Sequence, residues 1–227
     1  MNTNRILITV FLLGLGRTSQ AQNSYGFGVL PAINFNKGFN KGWTINFKTE
    51  SRQLYSSGNF GEGISEYDYV LTDFTTIGAK KVGLNSRLAL GYLFRLEGGN
   101  IVNRFIQQYN ITQRFSRFRL SHRFVTDQTI SPAEDLEFRL RYRLASEIPL
   151  NGESADQGEF YLKCSNEYLQ SLQSNTYDLE IRFVPLLGYI FSPKHKPEFG
   201  LDYRVKGFVN QNANHSFWTN INWFIEI

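Results

Sequence analysis

Charged side chains alternate with large uncharged ones through the carboxy-terminal half of the chain. Between residues 136 and 148 the odd positions are mostly Glu and Arg, and the even positions are mostly large and uncharged. The residues expected on the charged face are Arg119, Arg123, Glu137, Arg139, Arg141, Arg143, Glu159, Lys163, Glu167, Glu180, Arg182, Asp202 and Arg204. Arg guanidinium groups bind carboxylates through paired N–H donors, so this face predicts either internal ion pairs or the binding of an anion.

Two roles for the charged face remain open. In the first, Arg side chains bridge carboxylates and fill the interior of a narrow β-barrel, where an unpaired charge would be costly. In the second, the same side chains line a polar, somewhat cationic conduit or pocket for a small anionic solute, as charged rings do in pores. The same face also carries Arg117, Glu147, Asp178, Glu198 and Lys206. With these added, the face has ten positive and eight negative residues, and this near balance favours the first role.

The three histidines could offer a different chemistry. His122 alternates in step with the apolar residues Leu120 and Phe124. His195 lies in a Pro- and Lys-rich segment that we expect to form a turn, and His215 begins the alternating segment that ends the chain. Acyl transfer needs a nucleophile, a base and an orienting group on one surface. A lipid-modifying hydrolase with His122 or His215 at the lipid interface, beside a Ser or Thr, is therefore the alternative function. We favour a role that is structural, interaction-based or weakly conductive rather than catalytic. We expect no cofactor or metal, because the sequence shows no phosphate loop or metal-ligand spacing.

Strands must position these residues, and the alternation has the period of a β-strand. The alternating segment of residues 136–148 is longer than the five or six residues usual in globular proteins. A transmembrane strand needs about 9–11 residues, with lipid outside and a polar interior. Similar apolar rows recur along the rest of the chain, separated by Gly-, Asn- and Pro-containing turns.

The pattern predicts an all-β fold, a transmembrane antiparallel up-and-down β-barrel of about 12 strands. Eleven rows can be counted, and bacterial barrels of this kind have an even number of strands. A weak strand between Ser51 and Tyr67 would give twelve, which we prefer, and merging two rows would give ten. A soluble barrel with its apolar rows inward also fits the alternation. However, the rows at 84–96, 177–191 and 217–227 are longer than a small soluble interior requires.

The amino terminus has the features of a secretory signal peptide. A short positive segment ends at Arg5, an apolar run follows over residues 6–15, and small residues precede Ala21. We therefore predict a signal peptide at residues 1–21 and a barrel at residues 22–227. The destination that we expect is the outer membrane of a Gram-negative bacterium.

The expected partners are outer-membrane lipid and the barrel assembly machinery. The chain ends on an apolar row that includes Ile221 and Trp223, as outer-membrane barrels do, although its last residue is Ile rather than the usual Phe. No nucleic-acid partner is expected, because 24 Lys and Arg stand against 20 Asp and Glu, and Arg5 and Arg17 belong to the leader. A nucleic-acid-binding protein would carry a stronger basic excess on one face.

Several segments of the chain carry a family resemblance. They are His122–Phe124, Asp127–Thr129, Phe138–Arg143, Glu147–Gly152, Glu159–Lys163, Ser165–Tyr168, Gly200–Arg204 and His215–Trp218. In these segments the chain resembles a family of bacterial proteins catalogued as a domain of unknown function and grouped with outer-membrane β-barrels. The resemblance covers essentially the whole mature chain and is densest from Arg117 onward. It implies a barrel and an outer-membrane address, and it assigns no catalytic residue.

Overall fold

The computed structural model describes residues 24–60 and 62–227, and these residues are mostly in β-strands. The predicted signal peptide, residues 1–21, lies outside them. The strands are β1 (Ser24–Gly38), β2 (Trp43–Asn59), β3 (Glu62–Ile64), β4 (Asp68–Lys81), β5 (Ser86–Glu97), β6 (Asn100–Arg114), β7 (Arg119–Ile130), β8 (Glu137–Pro149), β9 (Phe160–Gln173), β10 (Thr176–Tyr189), β11 (His195–Lys206) and β12 (Asn214–Glu226). Short 3-10 turns occupy Asn40–Gly42 and Phe208–Asn210. No helix in this part of the chain is long and apolar enough to cross a membrane.

The strands confirm the predicted all-β barrel and add one unexpected feature, its closure. Neighbouring strands pair antiparallel in chain order, except that the short β3 pairs only with the end of β2, and β4 takes its place in the wall. This β3 is the weak twelfth strand predicted between Ser51 and Tyr67. The wall itself has eleven strands. Because an odd number of up-and-down strands leaves the first and last pointing the same way, β1 and β12 pair in parallel.

The parallel seam between β1 and β12 is tightly packed inside the barrel. Gly28 lies directly opposite Trp218, whose side chain is buried. A β-carbon at position 28 would lie 2.3 Å from the carbonyl oxygen of Gln53 and 2.7 Å from the Trp218 ring. Parallel pairs are slightly less stable per residue than antiparallel ones. The Trp218 indole fits because residue 28 is a glycine. The indole therefore packs against the parallel pair of β1 and β12, which is the less stable type of pairing in the wall.

The two faces of the wall differ in chemical character. Along β8, Phe138 and Leu140 point outward and are half exposed, whereas Arg139 and Arg141 point inward. Every wall strand presents at least one such exposed apolar side chain: Phe27, Phe47, Phe74, Leu90, Phe105, Phe124, Leu140, Leu172, Phe183, Phe199 and Ile221. Charged and amide side chains are buried on the inner face. The apolar rows thus face outward, as predicted, and the barrel is inverted relative to a soluble one.

The barrel has two rims, named here by the chain terminus that each contains. The amino-terminal rim comprises Ser24 and the connections 60–67, 98–99, 131–136, 174–175 and 207–213, and the carboxy-terminal rim comprises Ile227 and the connections 39–42, 82–85, 115–118, 150–159 and 190–194. The connections of the amino-terminal rim contain acidic residues and no Lys or Arg. Cations cluster instead on the strand ends of the carboxy-terminal rim, among them Lys37, Lys80, Lys81, Arg87, Arg114, Arg119 and Lys196.

Candidate functional site

The most deeply buried carboxylate of the described residues is that of Asp127 on β7, which has no exposed surface. Arg139 Nε lies 2.6 Å from Asp127 Oδ1, and Arg141 Nη2 lies 2.6 Å from Oδ2. Arg104 Nε lies 3.5 Å from Oδ1 and donates a hydrogen bond to Thr129 Oγ1 at 2.8 Å. A buried charge is tolerated only with close partners. Asp127 therefore joins β6, β7 and β8 through three guanidinium groups.

Ion pairs continue around the lumen on both sides of Asp127. Arg95 donates two hydrogen bonds to the Asp73 carboxylate, at 2.7 and 2.9 Å. Arg182 lies 2.5 Å from Glu180 and 3.2 Å from Glu167. The other pairs are Arg204 with Asp202, Glu50 with Lys48 and Arg52, Arg139 with Glu137, and Arg95 with Glu97. We call these residues, together with Asp127, Arg104 and Arg141, the ion-pair belt.

A smaller cluster lies between the ion-pair belt and the carboxy-terminal rim. Lys163 Nζ donates to both carboxylate oxygens of Glu198, at 2.8 and 3.0 Å. The Tyr161 hydroxyl donates to the same carboxylate at 2.9 Å. Gly188 lies opposite Tyr161, and a β-carbon there would fall within 2.1 Å of the ring. Glycine at this position thus allows Tyr161 to reach Glu198, and the charge of Lys163 is matched by Glu198.

Cations, most of them without a carboxylate partner among the described residues, line the mouth of the lumen at the carboxy-terminal rim. A cavity of about 690 Å³ is lined there by seven cations, Lys81, Arg87, Arg114, Arg119, Arg123, Arg143 and Lys163, which we call the cationic mouth. Glu147 is the one acidic residue that lines this cavity, and it pairs with Arg119 at 2.5 Å. Lys163 pairs with Glu198. Among the residues that the structure describes, the other five cations of the mouth take part in no ion pair.

A second cavity, of about 1330 Å³, lies in the lumen. Its lining includes Glu134 and Ser174 near the amino-terminal rim and Asn36 near the carboxy-terminal rim. Arg123 and Arg143 line both cavities, so the cationic mouth adjoins the lumen. The lumen is therefore a polar space that side chains near both rims line.

The thirteen charged residues singled out from the sequence fall into three settings. The ion-pair belt contains Glu137, Arg139, Arg141, Glu167, Glu180, Arg182, Asp202 and Arg204. The cationic mouth contains Arg119, Arg123, Arg143 and Lys163. Glu159 differs from the expectation, because β9 begins one residue later and leaves it in the connection from β8. There its carboxylate accepts a hydrogen bond from the backbone N–H of Asp156 at 2.9 Å.

Sequence reasoning missed several belt residues of the amino-terminal half, as well as Asp127 itself. Asp127 has the same odd-numbered parity on β7 as Arg119 and Arg123, so the alternation contained the signal. Glu50 likewise alternates with the outward Phe47 of β2. Asp73 could not be placed, because the faces of its segment are ambiguous from the sequence. Parity is thus enough to find lumen residues only where the outward row is clearly apolar.

The three histidines lie on the outer face, each beside an aromatic side chain. His122 Nδ1 and the Tyr142 hydroxyl share a hydrogen bond of 2.9 Å, as do His215 Nδ1 and the Tyr203 hydroxyl. Trp223 Nε1 lies 3.3 Å from His195 Nδ1. Within residues 24–60 and 62–227, no side-chain hydrogen bond joins a His to a Ser or Thr hydroxyl, and no cluster of metal-ligating side chains is present. None of these contacts provides the nucleophile hydrogen-bonded to a general base that the hydrolase alternative requires.

Comparison with known proteins gives one match. A family model described as "Protein of unknown function (DUF2490)" matches residues 27–215. The matched range starts in β1 and ends in β12, so it takes in every strand of the wall. No curated protein and no solved structure matches the chain.

Proposed function

The chain belongs to the family of proteins of unknown function DUF2490. Because the description of that family gives no role, we propose a role for the chain from the chain's own geometry. It is an outer-membrane β-barrel whose lumen forms a narrow, charge-lined conduit for small solutes. The observation that carries this proposal is the combination of an apolar outer wall with a polar cavity lined from both rims. Its expected partners are outer-membrane lipid and the barrel assembly machinery.

The outer wall supports the membrane part of the proposal. Exposed apolar side chains follow one another around all wall strands, whereas soluble monomers rarely expose contiguous apolar patches above a few hundred Å². The wall strands have 12 to 17 residues, enough to cross a bilayer when tilted. Closure through the β1 and β12 pair leaves no free edge in the wall, which is what the hydrocarbon region demands.

The lumen supports the conduit part of the proposal. The ion-pair belt brings Arg and Lys side chains into contact with carboxylates around the interior, so the belt as a whole does not present charges of one sign only to a passing ion. A wide aqueous channel would not need such pairing, because water can solvate an unpaired charge. The remaining cavity of about 1330 Å³ leaves room for water and small solutes. We therefore expect a small conductance.

The first test concerns the barrel and its location. The mature protein should be recovered in the outer-membrane fraction and should migrate faster on a gel when it is not boiled, because a closed barrel has no edge from which detergent can unfold it. Recovery as a soluble periplasmic protein, with the same migration before and after boiling, would contradict the proposal.

The second test concerns the conduit. Purified, unboiled protein inserted into planar lipid bilayers should give small, stable unitary conductances, and boiled protein should give none. Insertion without current would overturn the conduit but leave the barrel intact. A large, porin-like conductance would show that the ion-pair belt does not narrow the lumen.

A further inference from the structure

Like charges face one another across neighbouring strands in the cationic mouth. The directly opposed residues are Lys81 with Arg87, Arg114 with Arg119, and Arg123 with Arg143. Like charges in this position destabilise a sheet. Arg143 has a second cross-strand neighbour, Glu167, whose carboxylate contacts Arg182 at 3.2 Å and attracts Arg143 only from a greater distance. Within the described part of the chain, direct ion pairs therefore reach only Arg119 and Lys163 among the seven cations of the mouth.

The same barrel shows that its wall can match opposed cations with acids. Arg182 and Arg204 are also directly opposite each other, on β10 and β11. There, Glu180 and Glu167 contact Arg182, and Asp202 contacts Arg204 through two hydrogen bonds of 2.8 Å. The mouth has three such opposed pairs and only Glu147 as a lining acid. An anion from solution would supply the charge that the mouth lacks.

The shape and position of the mouth fit a small dissolved ligand. Its volume of about 690 Å³ lies within the range of small-molecule sites. Arg123 and Arg143 point into the cavity from adjacent strands, and Arg143 Nη2 donates only to the neutral Ser165 hydroxyl at 3.2 Å. The basic strand ends around the rim add a field that attracts anions toward the opening.

We propose that the cationic mouth is a binding site for a small water-soluble anion with phosphate or carboxylate groups. Guanidinium groups recognise both kinds of oxyanion through paired N–H donors. Arg123 and Arg143 contact the ligand at the floor of the site, where the mouth meets the lumen cavity. Arg87 and Arg114 contact it from the sides. The inference deepens the proposed conduit, because this site lies at one of its two openings, but binding can be measured without any current.

The test uses inorganic pyrophosphate as the probe and the full mature chain in lipid-free detergent micelles. Binding is measured by titration calorimetry at constant ionic strength, with chloride as the reference anion. One double variant carries both Arg123→Gln and Arg143→Gln. The control double variant carries both Lys37→Gln and Lys194→Gln. The control removes the same charge at the same rim, but neither lysine lines the cavity. Faster migration of unboiled protein shows that each variant is folded.

We expect saturable pyrophosphate binding by the parent chain, at least tenfold weaker binding by the Arg123 and Arg143 variant, and a change below twofold in the control. The proposal is overturned by no saturable binding or by equal losses in the two variants. If the barrel binds pyrophosphate but carries no current, the anion site is supported and the conduit is overturned. If the barrel conducts but does not bind pyrophosphate, the conduit is supported and the anion site is overturned.

Discussion

The ion-pair belt and the cationic mouth lie in the same lumen, and β8 contributes to both. Arg139 and Arg143 are four residues apart on that strand, and both point inward. Arg139 lies opposite Asp127, whereas Arg143 lies opposite Arg123. The alternation along β8 does not distinguish the two arginines, because both occupy odd-numbered positions on the inward face. The difference between them teaches that the neighbouring strand decides whether a charge in the lumen stabilises the barrel or stays available to a ligand.

The two regions therefore divide stability from recognition. In the belt, the guanidinium groups satisfy buried carboxylates that would otherwise be costly. In the mouth, the guanidinium groups face one another and a cavity, which is an unfavourable arrangement for an empty barrel. We expect substitutions in the belt to act on folding, and substitutions in the mouth to act on anion binding.

Asp127→Asn should have the largest effect of the changes considered, because it removes the charge of the buried carboxylate that three guanidinium groups share. Removing one partner from a buried ion pair costs about 3–5 kcal/mol. We expect little folded protein, measured as the fraction that migrates fast without boiling. Asp156→Asn makes the same chemical change in the exposed 150–159 connection, and its free energy of unfolding should stay within about 0.5 kcal/mol of the parent. Equal folding of the two variants would remove Asp127 from the centre of the belt.

Phe183→Arg tests the assignment of faces on which the comparison depends. Phe183 is half exposed in the middle of β10, next to the inward Arg182 of the belt. An Arg on the lipid face costs about 2–4 kcal/mol at the bilayer midplane and about 0–1 kcal/mol near an interface. We expect Phe183→Arg to impair assembly into the outer membrane. Phe191→Arg, on the connection beyond the same strand, should assemble nearly normally, and the reverse order would place the outer wall in water.

Glu147→Gln should have a small effect on stability and a clear effect on the mouth. The pair between Glu147 and Arg119 is partly exposed, so its loss should lower the free energy of unfolding by less than about 1 kcal/mol. Because the variant removes the one acid that lines the cavity, pyrophosphate should bind more tightly. Calorimetric titration of the two proteins checks this, and weaker binding by the variant would mean that Glu147 helps to hold the ligand.

The alternation in the sequence was sufficient to predict the eleven rows that became the eleven strands of the wall, and the length of the rows predicted their outward direction. The weak strand that became β3 was expected only because bacterial barrels have an even number of strands, and the same rule excluded the parallel closure that an odd number of wall strands produces. The alternation also treated Arg139 and Arg143 as equivalent, because pairing depends on the register with β7 and not on the parity of β8. Glu159 was assigned to the lumen because the start of β9 is not marked by a change in the pattern.

The most direct test of the division between belt and mouth is the free energy of unfolding of Arg139→Gln beside that of Arg143→Gln, both measured without added anion. The variants make the same change on one strand and one face. We expect Arg139→Gln to lose about 1–3 kcal/mol, because it leaves Asp127 short of a charged donor. Arg143→Gln should stay within about 0.5 kcal/mol of the parent or be more stable, since it relieves the repulsion by Arg123. Equal losses in the two variants, or a larger loss for Arg143→Gln, would contradict the account.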